Sequence, residues 1–496
     1  MVDTFDNTTK ENDGIHLLLD WLGTFKGFHN KLTLLSANNA GRGLFAYAKA
    51  LQPGEPMLVI PAQSLLNPLT LSRSPLNTIP SELFPASAST SSPPPRSPGG
   101  GSRRLTTTQL LTLHLALARD PEGRHKSEWQ VFVDSLPSFR PLHPATWVIP
   151  NSDAPNDPFW PELEACLSES VRIKIAAVVK RYREDLAILR RVLTCEEPFK
   201  SQDLNDVISD ETFLWAWLNV NTRTVAMPLG LAEPPNAGWP VNNHSFVPLL
   251  DMINHSSIPH VICPKPEPLP SLSVSKRSAR GAQRPGGNVH LIPGKVDLVL
   301  FAPLRGLDEG EEVTFLYGPH SNAVLFAEYG FTEVDEVGDT WWPNADIDVS
   351  PWLDQVWATQ GGNDVKRAAL EAANMWGHSK LAANGGEPQP SVGLMTTLCV
   401  MCSPDDAVFT PDALRVRTFS RSAKQSARRA LARICEAILN DVEDCRADAA
   451  DVATRAGGDA DKAEGLRITR ALLREEECIT KGVLDLVESG GIIPGF

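Results

Sequence analysis

The chain has 496 residues, of which 42% are hydrophobic and 21% are charged, and its formal net charge at pH 7 is −14. This length allows two or three domains with sizeable cores, and the composition is that of an ordinary globular protein. The net negative charge argues against general electrostatic binding of DNA or RNA, which requires a basic surface. We therefore expect no direct nucleic-acid partner.

Cysteine usage and the N-terminal residues bear on the compartment. The eight cysteines are scattered along the chain, which is typical of reduced intracellular thiols rather than of a disulfide framework. Residues 1–13 are polar, lack the apolar core of a signal peptide and are predicted to form a flexible tail. No run of about 18 apolar residues is present, so we expect no membrane span. These features predict a cytoplasmic protein, a nuclear protein, or one found in both places.

Short apolar runs alternate with turn formers in the N-terminal part, after a first predicted helix. Apolar residues recur at helical spacing over residues 14–25. Strands are predicted at 32–35, 44–47 and 56–60, and Gly41-Arg42-Gly43 is predicted to form the turn between the first two. This order of strand, glycine turn and strand lacks the strand-to-helix context of a dinucleotide-binding fingerprint.

A mostly helical stretch follows a segment of low complexity. Residues 85–104 are rich in Pro, Ser, Gly and Arg, which predicts a disordered loop. Within residues 105–220, the apolar spacing predicts helices at 106–118, 161–193 and 213–220. The segment 161–193 has the clearest amphipathic stripe, which is typical of a helix packed on a core.

The second half of the chain changes from strand patterns to helical ones. Residues 264–288 are rich in Pro, Ser, Arg and Gly and are predicted to be a flexible loop insertion. Beyond residue 339 helical stripes predominate, so we predict a separate all-helical domain at 340–496. The predicted strands lie at 289–292, 296–303 and 313–317, and the two longest helical stripes lie at 415–445 and 463–487.

A central motif, residues 246–256, combines an apolar run with three polar side chains. Asp251, Asn254 and His255 follow the run closely, so we expect them to be buried. An unpaired buried amide or imidazole costs about 1–3 kcal/mol, so each of these groups must find a partner. The motif therefore either completes an internal hydrogen-bond network or holds a ligand.

Two further segments accompany this motif. In the upstream Gly-Arg-Gly turn, the missing side chains would let a ligand approach the backbone closely, although a plain hairpin turn is an equal alternative. Downstream, residues 309–318 have the sequence EGEEVTFLYG and residues 328–331 have the sequence EYGF. Together the three segments resemble the SET-domain lysine methyltransferases. The resemblance is strongest to the branch typified by the plant Rubisco large-subunit methyltransferase.

The resemblance implies an α+β fold. The expected parts are a β-rich SET domain with a pseudoknot over residues 14–331, which contains a helical insert at 105–220, and a helical C-terminal domain at 340–496. In the relatives this C-terminal domain helps to dock the protein substrate. The alternative for this chain is a domain that only stabilises the fold.

By the same resemblance, the expected cofactor is S-adenosyl-L-methionine. Arg223 would form a bidentate contact with the carboxylate of the cofactor. The alternative for this arginine is a structural ion pair. Asn254 and His255 would hold the adenine and amino-acid ends of the cofactor, whereas Asp251 would mainly orient the segment. The residues implied in cofactor binding are Gly41, Arg42, Gly43, Arg223, Asp251, Asn254, His255 and Tyr317.

Methyl transfer from a sulfonium to an amine is an in-line displacement that needs a neutral amine and no metal. A lysine amine has a reference pKa of about 10.4, which burial and a nearby cationic sulfonium both lower. The resemblance makes Tyr317 the catalytic tyrosine, and the alternative is a core tyrosine at a strand end. Tyr329 and Phe331 resemble the aromatic wall of a lysine channel, which suits an alkylammonium group. An ordinary core position is the alternative for Phe331.

We therefore predict an S-adenosylmethionine-dependent protein-lysine N-methyltransferase whose partner is a protein that presents a lysine. One alternative keeps the chemistry but transfers the methyl group to a histidine ring. Another is a non-catalytic SET-like interaction module, which would be marked by loss of Tyr317 or of the Asn-His pair, and both are present. We predict no metal site, because Cys399-x-x-Cys402 lacks a second pair of ligands.

Overall fold

The spatial contacts divide the chain into two units. The first comprises Met1–Ser138 and Tyr182–Gly318, and the second comprises Phe139–Arg181 and Pro319–Phe496. Both units are discontinuous in sequence, whereas the predicted domains are continuous. The division by contacts does not test the predicted domain boundaries, which stay a prediction. The computed structural model describes residues 4–37, 41–46, 50–88, 104–120, 123–150, 157–195, 209–234, 241–257, 265–268, 296–333, 344–359, 362–384, 387–405, 407, 409–493 and 496.

Residues 89–103 of the loop predicted at 85–104 lie outside the described residues. The same holds for residues 269–288 of the loop insertion predicted at 264–288 and for the strand predicted at 289–292. Within the described residues, no helix combines the length and apolarity that a membrane span requires.

The helices are α1 (Thr4–Gly23), α2 (Pro68–Leu71), α3 (Thr107–Ala118), α4 (Gln130–Ser135), α5 (Ala145–Val148), α6 (Phe159–Ala165), α7 (Glu169–Cys195), α8 (Asp210–Arg223), α9 (Asn322–Tyr329), α10 (Ser350–Thr359), α11 (Asp364–Ala372), α12 (Val392–Met401), α13 (Pro411–Val416), α14 (Arg421–Ala453) and α15 (Ala460–Glu488). The strands are β1 (His29–Asn30), β2 (Thr33–Ala37), β3 (Gly41–Ala46), β4 (Pro56–Ile60), β5 (Thr224–Ala226), β6 (His244–Phe246), β7 (Asn254–His255), β8 (Lys265–Pro268), β9 (Val296–Phe301), β10 (Glu311–Phe315), β11 (Asp346–Asp348), β12 (Lys380–Asn384) and β13 (Glu387–Pro390).

Two four-stranded sheets organise the first unit. One has the strand order β1-β4-β9-β8, and the other has the order β2-β3-β10-β7. In the second sheet β3 is antiparallel to both β2 and β10, whereas β7 is parallel to β10. Asn254 therefore lies opposite Thr314, and His255 lies opposite Phe315. The central motif and the strand that leads to the predicted catalytic tyrosine are thus direct neighbours.

Helix α3 shows how local sequence fixes an element of this unit. The Thr106 hydroxyl accepts a hydrogen bond from the Gln109 amide, and the Gln109 side chain accepts one from the Thr106 amide. This reciprocal arrangement is a capping box, which satisfies donors that a helix start would otherwise leave unpaired. The core beside it includes Phe132 and Phe246, whose rings meet edge to face at 5.5 Å between centroids.

Two helix predictions are corrected by the structure. The predicted helix at 161–193 is two helices, because α6 ends at Ala165 and α7 begins at Glu169. Ser168 caps α7: its hydroxyl accepts from the Val171 amide, and its carbonyl accepts from the Arg172 amide. The apolar stripe continues across this break, so the spacing alone did not reveal it. Helix α1 spans Thr4–Gly23, whereas the helical spacing predicted a helix over 14–25; the flexibility of residues 1–13 stays a prediction.

The second unit is not all-helical, which corrects the prediction for the C-terminal part. Strands β11, β12 and β13 form an antiparallel sheet in that order. Side chains of this sheet and of the long helix α14 share one core, with Ile347 and Leu381 from the sheet and Leu431 and Ile438 from the helix. The α+β class of the whole chain is confirmed.

Candidate active site

The side chain of Asn254 joins three strands of the second sheet. Its amide nitrogen Nδ2 donates to the Arg42 carbonyl on β3 at 3.2 Å and to Glu312 Oε1 on β10 at 2.7 Å. An amide nitrogen has two protons, so these two acceptors fix the orientation of the group. The amide oxygen Oδ1 is then the atom of Asn254 that can accept a hydrogen bond from a ligand.

Gly43 makes room for this arrangement. A Cβ atom at Gly43 would lie 2.3 Å from Glu312 Oε1 and 2.8 Å from Asn254 Nδ2, so any larger residue would force these two side-chain ends to shift. The glycine therefore leaves the space in which they meet. Gly41 differs, since it has φ = 76° and no neighbouring atom within 4 Å of its would-be Cβ. Its requirement is the left-handed backbone that favours glycine.

His255 and Tyr317 are held against each other by backbone hydrogen bonds. The Tyr317 amide donates to His255 Nδ1 at 3.0 Å, and the Tyr317 hydroxyl donates to the Ile253 carbonyl at 2.8 Å. The two ring centroids are 5.1 Å apart. Because Nδ1 accepts, it carries no proton. Because the hydroxyl proton is engaged, the phenolic oxygen is left to act as an acceptor towards a substrate.

Arg223, which is partly exposed, forms an ion pair with the buried carboxylate of Asp251. Arg223 Nη1 donates to the Asp251 carbonyl at 2.8 Å and lies 3.2 Å from Asp251 Oδ2. Burial raises the pKa of the Asp251 carboxyl, and the Arg223 and Arg42 charges oppose that rise. Arg223 Nε and Asp251 Oδ1 are buried and have no hydrogen-bond partner among the described residues. The structural ion pair is thus present, and contact of Arg223 with a cofactor carboxylate stays a prediction.

Tyr329 and Phe331 belong to the second unit, where they lie at the end of α9. Their ring centroids are 6.2 Å apart, and the His320 ring lies 5.9 Å from that of Tyr329. Burial raises the pKa of Tyr329 to about 12, with Glu328 adding to the rise and Arg181 opposing it. The phenol is therefore uncharged at neutral pH, and the three rings form an aromatic cluster.

The structure adds Glu312 and Ile253 to the residues predicted from the sequence. Glu312 is part of the EGEEVTFLYG segment, and its position next to a predicted strand was the only signal that could have indicated it. Ile253 contributes only its carbonyl oxygen, which no side-chain pattern reveals. Within the described residues, no group of three or more His, Cys, Asp or Glu side chains is placed to hold a metal ion.

Comparison with known proteins identifies the fold. The SET domain of LSMT, solved with lysine and AdoHcy, superposes with a TM-score of 0.55 over 96% of this chain and 91% of that chain, at 17% identity. This chain therefore has the fold of the SET-domain methyltransferases, and the resemblance inferred from its motifs is confirmed. No protein-family model matches the chain.

Two curated proteins illustrate the similarity in sequence. Human SET domain-containing protein 4 is 26% identical over 317 residues, which are 64% of this chain and 58% of that protein. Ribosomal lysine N-methyltransferase set11 of Schizosaccharomyces pombe is 22% identical over 192 residues, which are 38% of each chain. The match to this chain thus spans less than two thirds of the length of these relatives.

Proposed function

We propose that the protein is an S-adenosylmethionine-dependent protein-lysine N-methyltransferase. The observation that carries this proposal is the parallel pairing of β7 with β10, which brings His255 against Tyr317 and Asn254 against Gly43. The comparisons support it: the LSMT SET domain was solved with lysine and AdoHcy, the form of the donor that has lost its methyl group. The fission-yeast relative is named as a ribosomal lysine methyltransferase.

The residues of the first unit fit such a donor in two respects. Asn254 Oδ1 is an oriented acceptor for an ammonium or amino group, because both protons of its Nδ2 are engaged. The absence of a side chain at Gly43 lets the Glu312 and Asn254 side chains pack against the β3 backbone, which holds that acceptor in its orientation. When bound, S-adenosylmethionine supplies a methyl group activated by a positive sulfonium. In this proposal the Arg223–Asp251 pair holds the motif in place, and Gly41 and Arg42 supply backbone.

Tyr317 would position the acceptor amine. Its hydroxyl donates to Ile253, so its oxygen can accept an N–H from the amine and a weak C–H···O contact from the methyl group. An amine held in this way directs its lone pair away from the tyrosine. Correct positioning of two reactants contributes about 7–11 kcal/mol to a displacement of this kind. Tyr329 and Phe331 would surround the lysine side chain by cation–π attraction.

The proposal is tested by transfer of labelled methyl groups from S-adenosylmethionine into the proteins of a cytoplasmic or nuclear extract. Wild type should label discrete proteins on lysine, whereas Tyr317→Phe and Asn254→Ala should each lose on the order of tenfold or more of the activity. Tyr182→Phe is the matched control, since Tyr182 packs in the core against Phe213 and Trp217 and should remain active.

Other results would identify the alternatives. Label on histidine would reassign the acceptor while keeping the donor. If wild type labels nothing and calorimetry detects no binding of S-adenosylmethionine, the methyltransferase proposal is wrong and a non-catalytic interaction module takes its place.

A further inference from the structure

A buried histidine of the second unit holds the end of helix α9. His143 is 1% exposed and precedes α5. Its Nδ1 accepts a hydrogen bond from the Ala145 amide at 3.2 Å, and its Nε2 lies 3.0 Å from the Glu328 carbonyl oxygen. Since Nδ1 is an acceptor, the proton is on Nε2, which donates to Glu328. One imidazole therefore links two backbone segments that are distant in sequence.

The same turn of α9 is held by two further contacts. Gly330 ends the helix in the left-handed conformation, with φ = 83°, and a Cβ at this position would lie 3.1 Å from the His143 Cα. The Glu328 carboxylate accepts from Arg181 Nη2 on α7 at 2.6 Å. Tyr329 lies between the two anchored residues, so its backbone has little freedom to move.

We propose that His143 is a positioning residue for Tyr329, and that it acts by fixing the last turn of α9. This inference rests on the proposed function, in which the Tyr329 ring lines the lysine channel. A channel wall must be placed accurately, because it decides how the amine approaches and how many methyl groups fit beside it. His143 would thereby influence the use of the lysine substrate and the degree of methylation, without touching the donor.

The protonation state of His143 suits this role. Burial lowers its pKa to about 4, against a small opposing effect of the Glu328 hydrogen bond. The ring is therefore neutral near pH 7, and Nδ1 keeps its lone pair as the acceptor for the Ala145 amide.

Substitution at His143 provides the first arm of the test, with His114 as the matched control. His114 is also buried, its pKa is also lowered to about 4 by burial, and its Nε2 lies 3.0 Å from the Ser127 hydroxyl in the first unit. We expect His143→Leu to lower kcat/KM for a lysine peptide on the order of tenfold while the Kd for S-adenosylmethionine is unchanged. His143→Gln, whose amide N–H can replace Nε2–H, should restore most of the loss. His114→Leu should show no such selective effect.

Amide hydrogen exchange provides the second arm and needs no enzymatic activity. The Gly330 amide donates to the Phe326 carbonyl at 2.9 Å, so its exchange reports on the last turn of α9. This exchange should accelerate in His143→Leu and stay as in wild type in His114→Leu. Unchanged exchange in His143→Leu would overturn the proposal, and so would equal acceleration in the His114 control.

A double-mutant cycle shows whether the effect passes through Tyr329. If His143 acts only by placing this ring, His143→Leu should have no further effect on kcat/KM in a Tyr329→Ala background. Additive effects of the two substitutions would overturn the proposal. If wild type neither transfers a methyl group nor binds S-adenosylmethionine, the proposed function is wrong, whereas the exchange arm still decides whether His143 anchors the turn.

Discussion

Gly43→Ala is the substitution whose effect the structure defines most closely. The added methyl group would lie 2.3 Å from Glu312 Oε1 and 2.8 Å from Asn254 Nδ2, so the Glu312 carboxylate has to move and its hydrogen bond with Asn254 breaks. Overpacking of this kind lowers the free energy of unfolding by about 1–3 kcal/mol. The Asn254 amide then loses the contact that fixes its orientation.

The expected effect on donor binding follows from this lost contact. An Asn254 side chain that can turn no longer holds its Oδ1 towards the ammonium group of the donor, and a hydrogen bond to a charged group contributes about 1.5–3 kcal/mol. Since about 1.4 kcal/mol corresponds to a factor of ten, the Kd for S-adenosylmethionine should rise on the order of tenfold to a hundredfold. Titration calorimetry measures the Kd, and urea unfolding measures the stability of the same preparation.

Gly14→Ala is the control for this experiment. Gly14 lies within helix α1 and has no atom within 4 Å of its would-be Cβ, so alanine there should leave the Kd unchanged and stabilise the helix by up to about 1 kcal/mol. Glu312→Ala removes the same hydrogen bond without adding volume, and it should weaken binding in the same direction. A folded Gly43→Ala protein whose Kd stays within about twofold of wild type would refute the proposal that the site around Gly43 and Asn254 binds the donor.

Two further predictions concern buried charges. Arg223→Leu leaves the Asp251 carboxylate buried without this arginine, and it should lower the free energy of unfolding, measured by urea denaturation, by about 3–5 kcal/mol. Adding Asp251→Asn should restore part of this loss. A change below about 1 kcal/mol would contradict the proposed role of the ion pair. Burial raises the pKa of Glu475 and Glu476 from 4.5 to about 7, so the folded state binds more protons than the unfolded state between these values, and stability should fall as pH rises through them. Melting temperatures near pH 5 and pH 8 should differ less in the Glu475→Gln/Glu476→Gln double variant than in wild type, and an equal difference would show that the pair is not responsible.

Elements with a strong local signal could be predicted from the sequence. The strand at 56–60 has the predicted bounds, and α3 begins one residue after the start predicted for it at residue 106. A run of four or five apolar residues bounded by turn formers is a signal that survives without tertiary information. The association of the central motif with Tyr317, by contrast, came from the family resemblance and not from any periodicity.

Elements defined by tertiary pairing could not be predicted. Strand β7 is two residues long, so no alternation exists to detect it. Strands β8 and β13 each contain two prolines, which argue against a strand because they cannot donate to a ladder. Both strands lie at the edge of their sheets, where prolines are tolerated. The helix boundary at Ser168 was hidden because the apolar stripe runs across it.

The contact between Asn254 and Glu312 joins residues 58 positions apart in the chain, and this separation has a consequence for folding. The candidate site does not exist in any local fragment, and it forms only when β7 reaches β10. Contacts between residues far apart in sequence form slowly, because the chain loses entropy before the favourable free energy of the contact is gained. Yet doubling the length of the connection adds only about 0.6 kcal/mol to the cost of closure. The length of chain between β7 and β10 therefore affects how fast the candidate site forms more than how stable it is.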